Sequence, residues 1–179
     1  MKILAYAASN SSKSINRKLV AHAADVLKTE IITDAEIEML DINDFEMPIY
    51  SSDREEAGGI PELAHQFAAK IGAADALLIS FAEHNGNYSA AYKNLFDWTS
   101  RIDPKVYQGK AMVLLAASPG PGGAANVLNS AKMSAPHFGA EVKADLSIAS
   151  FYDVFDLENG RLKDADIQAQ LAAALVTLK

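Results

Sequence analysis

Two short runs constrain the fold of this chain more than any other part of it. Ala76-Leu77-Leu78-Ile79-Ser80-Phe81 and Ala111–Ala117 are apolar almost without interruption. A strand with one face in water alternates polar and apolar side chains. A continuous apolar run therefore predicts a strand covered on both faces, as in a parallel sheet sandwiched between helices. Two other runs, Glu36–Ile42 and Glu141–Ile148, mostly alternate. They read as strands at the sheet edges, each with one wetter face.

Helix-like segments separate the strands. A first strand at about Lys2–Ala8 precedes a helix from Ser14, in which Ile15, Leu19, Ala23, Val26 and Leu27 return at helical spacing. Pro61 and Glu62 suit the first turn of a second helix carrying Leu63, Phe67, Ala68 and Ile71. Further helices are expected at about Ser89–Arg101, from the glycines near Gly123 to about Ser134, and at Asp164–Leu178. Asn43–Ile60, with Pro48 and the pair Gly58-Gly59, is the longest stretch without a pattern, and Asp53-Arg54-Glu55-Glu56 within it reads as a solvated loop face. Right-handed crossovers, with the second and fifth strands at the edges, predict a five-stranded parallel sheet of order 2-1-3-4-5. One α/β domain spanning residues 1–179 is expected, without internal repeats or linkers.

Composition excludes several classes of chemistry. With no cysteine in the chain, disulfides, thiolate metal sites, iron–sulfur clusters and a cysteine nucleophile are ruled out. Redox chemistry would have to belong to a bound cofactor. The formal charge is −7 and no Lys/Arg cluster stands out, which argues against nucleic acid and anionic membrane as partners. The chain begins on a strand-like segment, without a charged region followed by an apolar leader, and no apolar run approaches membrane-spanning length. A cytoplasmic protein is expected.

In a parallel sheet the loops after the first, third and fourth strands gather on one edge, where ligands of open α/β folds bind. The first loop, Ser9-Asn10-Ser11-Ser12-Lys13-Ser14-Ile15-Asn16, sets hydroxyls, amides and backbone N–H groups at a helix N-terminus. That arrangement can hold a phosphate without many lysines, although it also reads as a Ser-rich loop with Ser14 as N-cap. The second loop, Ala82-Glu83-His84-Asn85-Gly86-Asn87-Tyr88-Ser89, carries an Asn-Gly turn signal. Glu83-His84 without a second nearby His is a weak metal signal. The third loop, Ser118-Pro119-Gly120-Pro121-Gly122-Gly123, lets backbone N–H groups approach a flat ring without a Cβ in the way. It is neither a nucleotide P-loop nor a nucleophile elbow, since the required Lys-Ser/Thr ending and Gly-x-Ser-x-Gly pattern are missing. The three loops together fit a phosphate seat beside a slot for a planar ring, which FMN would satisfy. His22, His65 and His137 carry no motif and read as surface or helix residues.

Four segments in order carry a resemblance to a known family. Ala8-Ser9-Asn10-Ser11-Ser12-Lys13-Ser14-Ile15-Asn16 is similar to the pattern Gly-Ser-x-Arg-x-x-Ser-x-Asn at Ser9, Ser14 and Asn16. Ala82-Glu83-His84-Asn85 is similar to Pro-Glu-Tyr-Asn, Lys93-Asn94-Leu95-Phe96-Asp97-Trp98 to Lys-Asn-x-x-Asp-Trp, and Ser118-Pro119-Gly120 with Gly122-Gly123 to Ser-Pro-Gly…Gly-Gly. Pro48, Tyr50 and Asp53 also fit the family's loop after the second strand. These motifs resemble the NAD(P)H-dependent FMN reductases, which include quinone, chromate and azo-dye reducing members, and the likeness runs nearly the whole chain.

The resemblance implies a flavodoxin-like three-layer sandwich and FMN as cofactor, with NADPH or NADH as co-substrate. It also implies a small-molecule electron acceptor and a homodimer or homotetramer. The FMN site it implies is Ser9, Ser11, Ser14, Ile15 and Asn16 around the phosphate, with Ala82, Glu83, His84, Asn85, Gly86, Ser118, Pro119, Gly120, Gly122 and Gly123 around the ring. No protein side chain need act as acid or base in hydride transfer, so no catalytic residue is assigned and no metal is expected. Ser11 replaces an Arg, His84 a Tyr and Ala8 a Gly of the family pattern. Lys93, Asn94 and Trp98 read as packing residues. A flavodoxin-type electron carrier without nicotinamide activity is the alternative.

Overall fold

The computed structural model describes residues 1–179. Its strands are β1 (Lys2–Ala8), β2 (Glu36–Leu40), β3 (Ala76–Phe81), β4 (Glu83–His84), β5 (Asn87–Tyr88), β6 (Ala111–Ala117), β7 (Glu141–Ile148), β8 (Phe155–Asp156) and β9 (Arg161–Leu162). The helices are α1 (Ile15–Val26), α2 (Ser52–Gly58), α3 (Glu62–Ala73), α4 (Ala90–Thr99), α5 (Ala125–Ser134), α6 (Phe151–Val154) and α7 (Ala165–Val176). Five strands form a parallel sheet in the order β2-β1-β3-β6-β7. This is the expected order 2-1-3-4-5, interrupted in sequence by the two-residue strands of the β4–β5 hairpin.

The apolar runs lie in the middle of the sheet for the reason their composition implies. Every residue of β3 is buried, and in β6 only Ala111 is partly exposed. Alternate side chains feed two cores. Leu4, Tyr6, Leu77, Ile79, Met112 and Leu114 pack under α3, α4 and α5. Ile3, Ala5, Leu78, Val113 and Leu115 pack under α1 and α7. β2 and β7 keep exposed positions, as strands with one wetter face should. On the β2 edge Glu38 takes Lys70 at 2.6 Å and Lys2 at 3.3 Å, charges that discourage further strand pairing.

The structure departs from the sequence reading in three places. The stretch 43–60 is not patternless: Ile42–Phe45 forms a 3-10 turn capped by Asp41, and α2 follows with Ser51 as N-cap. Asp53-Arg54-Glu55-Glu56 therefore lies on a helix, and Glu55 accepts bonds from Tyr50 Oη and Arg101 Nε. His22 is 8% exposed, edge-on to Phe155 and 2.9 Å from Gln168 Oε1, so it is an inner residue of the α1–α7 layer. The β8–β9 hairpin arises in a segment too short for any period to register. Trp98 and Asn94 pack as expected: Trp98 Nε1 donates to Pro48 O at 2.7 Å, and Asn94 bridges Tyr50 N and Met47 O. No helix is long and apolar enough to cross a membrane.

Three buried phenols lie close together: Tyr6, Tyr107 and Tyr92, the last on α4 itself. Tyr92 Oη and Tyr107 Oη are 2.8 Å apart, whereas Tyr6 Oη has no hydrogen-bond partner. Burial pushes all three above the ordinary phenol value of 10.0, because a phenolate there would lose its hydration. Below that value folded and unfolded chains are equally protonated at these sites. Above it the unfolded chain sheds protons that the folded chain retains, so stability should fall as pH rises past 10.0. Tyrosinate absorbance from these residues should appear together with the loss of helical circular dichroism and not before it. Tyr6→Phe, which removes only the unpaired hydroxyl, should raise stability by about 1 kcal/mol in urea titration. A comparable loss would show that this hydroxyl is bonded.

Candidate functional site

The parallel sheet places the C-terminal ends of β1, β3 and β6 on one edge. The three loops singled out in the sequence, following Ala8, Phe81 and Ala117, are thereby neighbours. The first turns sharply into α1. Ser9 Oγ accepts from Ser11 N, Ser11 Oγ from Lys13 N, and Ser14 Oγ from Arg17 N as the helix N-cap. Each hydroxyl accepts one backbone N–H and keeps its own proton for donation. The backbone N–H groups of Ser12, Ile15 and Asn16 find no acceptor within the chain. Hydroxyl protons and unpaired amides at the positive end of a helix form a neutral anion seat.

The second loop is an antiparallel hairpin, β4–β5, pairing Glu83 with Tyr88 and His84 with Asn87. Its turn requires left-handed backbone at both central residues, Asn85 at φ 52° and Gly86 at φ 78°, which is why Asn-Gly stands there. Ala82 is buried, whereas His84, Asn85 and Gly86 are exposed. In the third loop Gly120 and Gly122 have nothing within 4 Å of where a Cβ would sit, and their N–H groups are unpaired. Pro119 is exposed and Ser118 Oγ donates to Gly120 O at 3.0 Å. Gly123 serves packing: a Cβ there would lie 2.3 Å from Ser147 Oγ.

Single polar side chains tie these loops together in pairs. Ser89 Oγ donates to Ala8 O at 2.9 Å and joins the second loop to the first. Asn16 joins the first to the third: its Oδ1 accepts from Ala117 N at 2.9 Å and from Ser80 Oγ at 2.8 Å, and its Nδ2 donates to Ala117 O at 3.2 Å. Glu83 joins the second to the third, accepting from Val127 N at 2.9 Å and Asn126 Nδ2 at 3.4 Å. Asn16 and Glu83, expected at the phosphate and the ring, thus direct their side chains into the frame; Asn16 offers the anion seat its backbone N–H. Ser80 and Ser89 were missed as members of the frame. The signal for Ser80 was visible, since it is the one polar residue in an otherwise apolar strand.

Two cavities lie near the site. A cleft of about 220 Å³ adjoins the first loop at Asn10 and is floored by Ile42, Phe45 and Met47, with Ile49 and Ala91 beside them. An apolar cavity of about 280 Å³ between α4 and α5 is walled by Tyr92, Phe96, Tyr107 and Phe138 and meets the hairpin only at Tyr88. No group of three or more His, Asp or Glu side chains could hold a metal ion.

Asn16→Ala would leave Ser80 Oγ and both main-chain groups of Ala117 unpaired in the buried interior. A loss of stability on the order of 3 kcal/mol is expected in urea unfolding. A loss below about 1 kcal/mol would mean that the strap carries little.

Comparison with known proteins places the chain in a family. Residues 1–153 match the family described as NADPH-dependent FMN reductase. The chain is 31% identical to an NAD(P)H-dependent FMN reductase of Pseudomonas aeruginosa, over 97% of this chain and 92% of that protein. It is 28% identical to a probable NADPH:quinone oxidoreductase of Oryza sativa subsp. japonica, over 100% of this chain and 87% of that one. Among solved structures, the NAD(P)H:(acceptor) oxidoreductase FerB of Paracoccus denitrificans superposes with a TM-score of 0.78 at 23% identity, covering 99% of this chain and 94% of FerB. An FMN-dependent NADH-azoreductase of Bacillus anthracis in complex with FMN gives 0.70 at 16% identity, with 99% of each chain covered. The flavodoxin-like fold is thereby shared, and the chain belongs to the NADPH-dependent FMN reductase family.

Proposed function

We propose that this protein is an FMN-dependent NAD(P)H oxidoreductase that passes electrons from a nicotinamide to a quinone-like or flavin acceptor. The observation that carries the reading is the neutral anion seat at the N-terminus of α1, on the sheet edge that also carries the β4–β5 hairpin and the glycine loop. When bound, FMN would supply the redox chemistry that a chain without cysteine lacks, namely the capacity to accept hydride from a nicotinamide and to reduce a second substrate.

The chain's own part is to bind, orient and exclude water. The hydroxyl protons of Ser9, Ser11 and Ser14, with the backbone N–H groups of Ser12, Ile15 and Asn16, receive the phosphate. Ala82 and the exposed tip His84-Asn85-Gly86 form one wall of the ring slot. Ser118, Pro119, Gly120 and Gly122 form the other, with Gly120 and Gly122 N–H free to stabilise negative charge on the ring's polar edge. Glu83 and Gly123 hold those walls in place. His84, exposed at the hairpin tip, brings an imidazole close to the incoming substrate. A homodimer or homotetramer is part of the same reading. It is supported by the apolar cavity between α4 and α5 and by Met133 of α5, a large apolar side chain that is 76% exposed.

Anaerobic addition of NADPH or NADH to the FMN-loaded protein should bleach the flavin band, and the faster donor gives the nicotinamide preference. A band that forms but does not bleach would favour an electron carrier. Ser14→Ala should weaken FMN binding by about 1.5–3 kcal/mol, the worth of a hydrogen bond to a charged group. Flavin fluorescence titration reads this directly, and an unchanged dissociation constant would remove Ser14 from the phosphate site.

A further inference from the structure

The β4–β5 hairpin and the glycine loop, the two walls of the proposed ring site, follow different strands, and no backbone–backbone hydrogen bond joins them. What joins them is α5. Its N-cap, Ala124, sits in left-handed backbone at φ 59° and has no side chain able to cap the helix. The amide of Val127, a buried residue, would then be bare. Glu83 supplies the missing cap from the hairpin, with Oε2 on Val127 N at 2.9 Å and Oε1 on Asn126 Nδ2 at 3.4 Å. A carboxylate at a helix N-terminus gains both a charge-assisted bond and the favourable end of the helix dipole. At the other end of α5, Tyr88 Oη and Ser134 Oγ lie 3.3 Å apart, a contact between neutral hydroxyls. The hairpin thus rides on α5, and its one ionic attachment stands directly behind the glycine loop.

We propose that Glu83 is a positioning residue that latches the two walls and thereby sets how long FMN stays bound. With the latch closed, the hairpin is held at a fixed distance from the glycine loop, and the two would hold a flat ring between them. When the Glu83–Val127 bond opens, the hairpin is free to swing from α5 and the ring can leave. The carboxylate acts through the wall and not on the flavin, since both its oxygens face α5. This deepens the function proposed above and rests on it.

The test compares wild type, Glu83→Ala and Glu83→Gln by three readouts: FMN release by stopped-flow fluorescence, flavin midpoint potential, and amide exchange at Val127 in the FMN-free protein. Release should be roughly tenfold or more faster in Glu83→Ala, the equivalent of one lost hydrogen bond to a charged group. Glu83→Gln keeps a neutral acceptor of the same size and should fall between wild type and Glu83→Ala. The potential should stay at the wild-type value in both variants, and Val127 should lose protection in Glu83→Ala. Wild-type release from Glu83→Ala overturns the latch, as does an unprotected Val127 amide in wild type. A shifted potential in Glu83→Gln overturns it too, because the charge would then act on the flavin directly. If Glu83→Ala does not fold, Glu83→Gln decides: faster release at unchanged potential supports the latch, and wild-type release refutes it. Wild type that binds no FMN overturns the proposed function together with the latch, whereas FMN binding with unaltered release in the variants overturns the latch alone.

Discussion

Three buried or half-buried polar side chains, one for each pair of loops, hold the ligand edge of this sheet together. An open parallel sheet delivers its C-terminal loops to one edge but does nothing to fix them against one another, because each leaves its own strand and turns away. Ser89 on Ala8 O, Asn16 on Ala117 and Ser80, and Glu83 on the first turn of α5 close that gap. None is a long surface ion pair, whose worth solvent and side-chain entropy would erode. Each bonds to main chain that would otherwise be unpaired, where removing a partner costs most. The frame therefore ties the loops where they leave the sheet, and the hairpin tip His84-Asn85-Gly86 takes no part in it.

The same economy of charge governs the anion seat. A protein of formal charge −7 repels phosphates at long range. Arg17, one turn into α1, is turned aside by its 2.7 Å contact with Asp41, and Lys13 is the exposed cation within the first loop. Attraction must then come from short-range donors whose protons are already aimed. Ser9, Ser11 and Ser14 are aimed because each hydroxyl oxygen is fixed by a backbone amide two or three residues on. A site built this way owes less of its affinity to ionic strength than one built on lysines.

Much of this was legible in the sequence, and the limits have physical causes. The unbroken apolar runs of β3 and β6 announced central strands, and the alternation in Glu36–Ile42 and Glu141–Ile148 announced edges, because strand pattern reports which faces are wet. Asn85-Gly86 announced a tight turn because few residue pairs tolerate its backbone, but the two-residue strands it joins were too short to be read. Short elements escaped: α2 has seven residues, none of them buried, and so prints no hydrophobic period. The direction of a side chain escaped too. Asn16 sits in a loop rich in phosphate donors, and only the fold shows its amide turned inward to Ala117. Glu83 could have been suspected from the other end, since a helix opening on Ala124-Ala125 has no cap of its own and must borrow one.

A frame that is rigid behind the ligand and bare in front of it separates two requirements that otherwise compete. Holding a flat cofactor demands walls that do not move, whereas accepting different second substrates demands a mouth that few residues define. Here the walls are set by groups pointing away from the slot, so the tip residues His84, Asn85 and Gly86 carry no structural hydrogen bond through their side chains. Of the three, His84 lies outside the left-handed turn, so exchanging it alters the side chain at the hairpin tip without straining Asn85-Gly86. The replacement of Tyr by His at position 84 is such an exchange. It leaves the Asn-Gly turn, the Glu83–Val127 bond and the buried Ala82 untouched, and changes only the side chain presented at the hairpin tip.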